Sequence, residues 1–128
     1  MSVAYRVKTQ LEVSKEVAAE YFSKVCELLG WSVPVKSYGL LSTKVRDGRY
    51  DRARTVYFNP ANLEVTADSD YQELVDICDD IPNYLMMVDI QARLKQDDID
   101  SSFVLGEDGS LELKLPESVQ GVEAFDLL

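Results

Sequence analysis

Histidine is absent from the 128 residues, and with it go the commonest general base near neutral pH and the commonest metal ligand. Cysteine occurs twice, at Cys26 and Cys78, too few for a disulfide framework or a zinc-binding spacing. No glycine-rich phosphate loop and no nucleophile elbow interrupts the chain. No apolar run approaches the ~20 residues a membrane span needs. The opening MSVAYRVKTQ lacks the apolar core and cleavage site of a signal peptide, so the expected location is cytoplasmic, with no membrane among the partners. Two thiols in that compartment are expected to stay reduced as small core side chains. A non-enzymatic protein without cofactor or metal is the expectation that these absences leave.

Basic residues are also scarce, but only in one part of the chain. Residues 1–54 hold ten Lys/Arg against six Asp/Glu, whereas residues 55–128 hold three against seventeen. The net charge of −10 therefore resides in the second part. Such asymmetry bears on partners and solubility rather than on fold.

What is present is periodic. Val3, Tyr5, Val7, Thr9, Leu11 and Val13 alternate with polar neighbours, which predicts a strand. Ser14 offers an N-cap hydroxyl, and Val17, Ala18, Tyr21, Phe22, Val25, Leu28 and Leu29 follow at helical spacing up to Gly30, a left-handed stop. Ser32 to Val45 and Tyr50 to Asn59 read as a strand pair around the turn Arg46-Asp47-Gly48-Arg49, with a short further strand at Leu63 to Thr66. Ser69 with Gln72 fits a capping box for a second helix, whose stripe is Tyr71, Leu74, Val75, Cys78 and Ile81. Pro82-Asn83 should stop it. Beyond that stop, Val88, Ile90, Ala92 and Leu94 alternate with Asp89, Gln91, Arg93 and Lys95, which predicts Tyr84 to Lys95 as the inner strand of a sheet. Phe103 to Leu105 and Leu111 to Leu115 form a terminal hairpin around Glu107-Asp108-Gly109-Ser110.

The resulting order, β-α-β-β-α-β plus a C-terminal β-hairpin, matches the split βαβ plan of ferredoxin-like domains: an α+β chain with an antiparallel sheet and two helices on one face. Residues 1–116 are read as a single domain and 117–128 as an acidic, loosely held tail. The likeness is to a plan and brings no function with it.

Two surfaces could meet a partner. Asp70, Glu73, Asp76, Asp79 and Asp80 lie on the wet side of the second helix. Spaced carboxylates on a rigid helix can stand in for phosphates and steer association, so the leading expectation is an acidic binding protein that docks on a basic protein surface, as an inhibitor or adaptor working by nucleic-acid mimicry. The alternative is a nucleic-acid-binding module on the hairpin 36–54, through Lys44, Arg46, Arg49, Arg52 and Arg54 interleaved with Tyr38 and Tyr50. A third reading, a small-ligand regulatory domain, rests on the fold plan alone. Asp97, Asp98 and Asp100 lack the glycine and distal glutamate of a calcium loop and read as a solvated turn.

Overall fold

The computed structural model describes residues 11–46, 53–68, 71–107 and 109–116. Its elements run α1 (Lys15–Leu29), β1 (Val35–Ser37), β2 (Leu40–Val45), β3 (Arg54–Asn59), β4 (Glu64–Ala67), α2 (Gln72–Gln96), β5 (Ser102–Leu105) and β6 (Leu111–Lys114). The class is α+β: two helices, an antiparallel sheet in the order β1-β2-β3-β4, and a separate two-stranded sheet β5-β6.

Helix α1 begins and ends where its chemistry dictates. The Ser14 hydroxyl accepts a hydrogen bond from the Val17 amide at 3.2 Å, and Gly30 turns left-handed at φ 78°. Trp31 N–H then returns to the Cys26 carbonyl at 2.8 Å, closing the helix with its last carbonyls partnered. Ala18, Phe22, Val25 and Cys26 are fully buried. Phe22 stacks on Phe58 of β3 with centroids 4.5 Å apart and planes 8° from parallel, which fixes the helix against the sheet.

Period two governs the sheet. Register pairs Leu41 with Phe58, Thr43 with Val56 and Val45 with Arg54, then Val56 with Ala67 and Phe58 with Val65. These residues share the face that meets the helices. Thr43 is the one polar side chain deep in this layer. Its hydroxyl donates to the Ser32 carbonyl at 2.6 Å, so burial leaves that donor satisfied. The predicted strand from Ser32 is divided by a two-residue turn, Tyr38-Gly39, both at positive φ, the geometry a tight hairpin demands.

The main correction concerns Tyr84 to Lys95, which form no strand. Helix α2 runs unbroken for 25 residues through Pro82. The alternation that predicted a strand has a helical cause. At 100° per residue Val88 and Ile90 lie on nearly opposite sides, with Ala92 close to Val88 and Leu94 close to Ile90. Leu74, Cys78, Ile81, Leu85 and Val88 join the main core, whereas Ile90 and Leu94 form a second core with Ile99, Leu113 and Leu115. A helix buried on two sides thus copies the period of a strand. Proline removes only the bond that residue 82 would give the Cys78 carbonyl, and burial on both sides of it keeps the helix whole.

The ferredoxin-like order βαββαβ is accordingly not the order of the described residues, because the strand expected after the second helix belongs to that helix. The terminal hairpin is present as expected, with Phe103 opposite Leu113 and Leu105 opposite Leu111. Leu11 and Val13 pack on the core without belonging to a strand. The rest of the Val3–Val13 prediction, the turn at Asp47–Arg49 and the tail 117–128 lie outside the described residues; the N-cap of α2 is Tyr71, with no side-chain capping bond, in place of the expected Ser69, so Tyr71 precedes the helix instead of joining its stripe.

Two substitutions test this helix. Leu94→Asp places a carboxylate at a fully buried position among aliphatic neighbours and should cost several kcal/mol, seen as a large drop in the urea midpoint. Pro82→Ala restores an amide donor inside α2 and should stabilise by about 1–3 kcal/mol. A strand beginning after Pro82 would gain nothing from that change.

Candidate functional site

The first half of α2 sorts its side chains sharply. Leu74, Cys78 and Ile81 face the core, while Glu73, Asp76, Asp79 and Asp80 are exposed. Glu73, Asp76 and Asp80 recur at three- and four-residue spacing and so stand along one side of the helix. With Ile77 and Tyr84 they line a hollow of about 340 Å³, closed on its other side by Gly109 and Ser110 from the β5–β6 turn. None of the described lining residues is basic. Asp76 is steadied by Gln72, whose amide donates to its carboxylate at 2.7 Å. Asp79 stands one turn on from Asp76, outside the lining. Asp70 lies outside the described residues.

Tyr84 ties the two walls together. Its ring is 4% exposed, and its hydroxyl accepts a hydrogen bond from the Leu111 amide at 3.3 Å. The hairpin is thereby held against the helix that carries the carboxylates. This arrangement offers fixed negative charge in a shallow concave surface, which suits electrostatic docking.

Of the basic residues predicted for nucleic acid, Lys44, Arg46 and Arg54 are described, and Arg54 does not share a face with the other two. Arg49 and Arg52 lie outside the described residues. Arg54 shares the inner face with Val56 and Phe58, and its guanidinium sits 4.4 Å from the centre of the Tyr71 ring. That is a cation–π contact within the fold, at the entry to α2. Lys44 and Arg46 are exposed, and Lys44 Nζ donates to the Thr55 hydroxyl at 2.6 Å.

The aspartates after α2 are explained by the helix end. Amides of Asp97, Asp98 and Ile99 return to carbonyls of Leu94 and Lys95, and Asp98 takes a left-handed φ of 57°. A short polar side chain tolerates that conformation. Among the described residues no group of three Cys, Asp or Glu side chains converges on a metal position, and no helix is long and apolar enough to cross a membrane.

Two features escaped the sequence reading because α2 was divided there. The Tyr21 hydroxyl donates to Asp89 Oδ1 at 2.9 Å, and Arg93 pairs with Asp89 Oδ2 at 3.3 Å, a polar clamp between the helices. The second is a cleft of about 450 Å³ beside Pro82, lined by Leu11 and Val13, the turn Pro60–Leu63, Asn83 and Met86. Comparison with protein-family models, curated proteins and solved structures finds no match.

The thiols and the clamp each yield a measurement. Burial pushes both thiols up to about 12, with the Asp79 charge adding to the shift at Cys78. Both should therefore react slowly with a thiol reagent in native protein and rapidly in denaturant. Fast native labelling of either would show an accessible thiolate. Tyr21 is raised from 10.0 to about 12, first by burial, then by its bond to Asp89 and the charge of that carboxylate. The fold favours the neutral phenol, so this contribution is complete below pH 10 and is lost as pH rises toward about 12. Phenolate absorbance titrations of wild type and Tyr21→Phe should differ by one group ionising near 12; a difference centred at 10 would mean the clamp is open in solution.

Proposed function

We propose that this chain is a non-enzymatic acidic binding protein that docks on a basic protein surface through the first half of α2. The observation that carries the reading is the convergence of Glu73, Asp76 and Asp80 on one hollow whose described lining holds no cation. The helix beneath is anchored by Leu74, Cys78 and Ile81, all at most 5% exposed. A rigid support limits the ordering cost of docking and keeps the spacing of the charges. Carboxylates at helical intervals can occupy positions that phosphates take on a basic groove, which makes inhibition or adaptation by nucleic-acid mimicry the concrete form. The inward turn of Arg54 onto Tyr71 favours this reading over one centred on the basic hairpin.

Asp76→Lys with Asp79→Lys tests the proposal. Both residues are exposed and the apolar stripe is untouched, so thermal stability should hold within about 0.5 kcal/mol. Association with the basic protein retained from a host extract should slow by at least tenfold, more at low salt than at high, because exposed charges are screened beyond ~10 Å at 0.1 M. Single-stranded DNA should compete for the same partner if the acidic face occupies a nucleic-acid groove. Equal association rates for wild type and the double reversal across a salt series would reject the acidic face as the docking surface.

A further inference from the structure

The four-stranded sheet carries its helices on one face. On the other face Val35 is 64%, Leu40 37% and Tyr57 38% exposed. Register sets Val35, Ser42, Tyr57 and Thr66 in one row across all four strands, with Lys44 and Thr55 in the next. Tyr57 thus stands between the small side chains Ser42 and Thr66, which leaves its ring open to a flat partner. Lys44 lies diagonally from it, roughly 7–8 Å away in such a sheet. Lys44 spends one donor on Thr55, and an ammonium carries two more. Arg46 follows at the end of β2, and Tyr38 at the β1–β2 turn is fully exposed. No acidic residue occurs between Glu27 and Asp47. Glu64 on β4 and Asp68 just beyond it, whose amide donates to the Thr55 carbonyl at 2.8 Å, are acidic members of this face, and the Glu64 carboxylate accepts from the Asn62 amide at 3.4 Å.

An added β-strand is a poor occupant for this region. Ser37 and Leu40 close a two-residue turn, which makes them a hydrogen-bonded pair and turns the Lys36 backbone outward. The next outward position is Pro34, which has no N–H to give. Proline and lysine are the residues that blunt a sheet edge.

We propose that the outer face of the sheet binds a short stretch of single-stranded nucleic acid, with a base stacked on Tyr57 and phosphates held by Lys44 and Arg46. An accessible aromatic ring beside cations is the chemistry that such strands need. The acidic half of α2 does not contribute to this face, and its field is attenuated beyond ~8 Å at physiological ionic strength. Two phosphate contacts give a salt slope of roughly −1.4 for a single strand.

Fluorescence anisotropy with a labelled ten-nucleotide oligodeoxythymidylate tests the proposal, beside a labelled ten-residue polyglutamate of similar charge. The oligonucleotide should bind, the polyglutamate much more weakly. Tyr57→Leu, which keeps an apolar group without a stacking face, should weaken oligonucleotide binding about tenfold, and Tyr57→Phe should restore it. Lys44→Gln should weaken it and reduce the salt slope by roughly 0.7. Equal binding of polyglutamate, indifference to Tyr57→Leu, or no oligonucleotide binding at low salt by a natively melting protein would each overturn the assignment. The Asp76→Lys, Asp79→Lys protein keeps this face intact, so the outcome here is independent of the docking role proposed for α2.

Discussion

The structure depends on the burial of α2 from two directions. A helix of this length with an internal proline loses one backbone bond at Pro82 and relies on packing to continue. Leu74, Cys78 and Ile81 supply that packing before the proline, and Leu85 and Val88 after it. Ile90 and Leu94 add a second buried side. Everything else is arranged around this rod. The sheet and α1 close the main core through the stacked pair Phe22 and Phe58, and the β5–β6 hairpin closes the second.

That arrangement also explains where the charges stand. The first half of the helix buries the side of Leu74, Cys78 and Ile81, which leaves its acidic residues on the exposed remainder. The cationic residues are dispersed by the sheet: Arg54 turns inward to Tyr71, and Lys44 outward to Thr55. The carboxylates share a concave surface; the exposed cations share an open one.

Where local chemistry decided an element, the residues announced it. Ser14 and Gly30 bound α1 as their side chains and dihedrals require, and the hairpin around Gly109 follows from positive φ, whereas the turn at Tyr38-Gly39 divides a stretch read as one strand. Tyr84 to Lys95 failed for a physical reason. Period-two alternation measures burial on two opposite sides, and a pleated strand is only one way to achieve it. The proline strengthened the error, because it forbids a helical bond but not a helix supported elsewhere. The acidic face was legible as Glu73, Asp76 and Asp80, since their spacing needs only a helix. The hollow was not, because Gly109 and Ser110 arrive from about thirty residues away. Nor was the clamp of Tyr21, Asp89 and Arg93, which requires α2 to be whole. Arg54 was read with the cations of the hairpin, whereas it turns inward onto the Tyr71 ring.

The hairpin's attachment carries a consequence for the acidic hollow. β5 and β6 meet the rest of the molecule through the Tyr84–Leu111 bond, the small second core, and Phe103 and Leu111 in the main one. Such a peripheral unit is a candidate for sub-global opening, with its amides exchanging ahead of those of the central sheet. Opening would remove Gly109 and Ser110 from the hollow while Glu73, Asp76 and Asp80 stay fixed on the helix. The charge of this surface and its shape therefore belong to two cooperative units. A ligand that reads only charge tolerates the open form; one that also reads shape binds the closed form alone and draws the hairpin's stability into its own affinity.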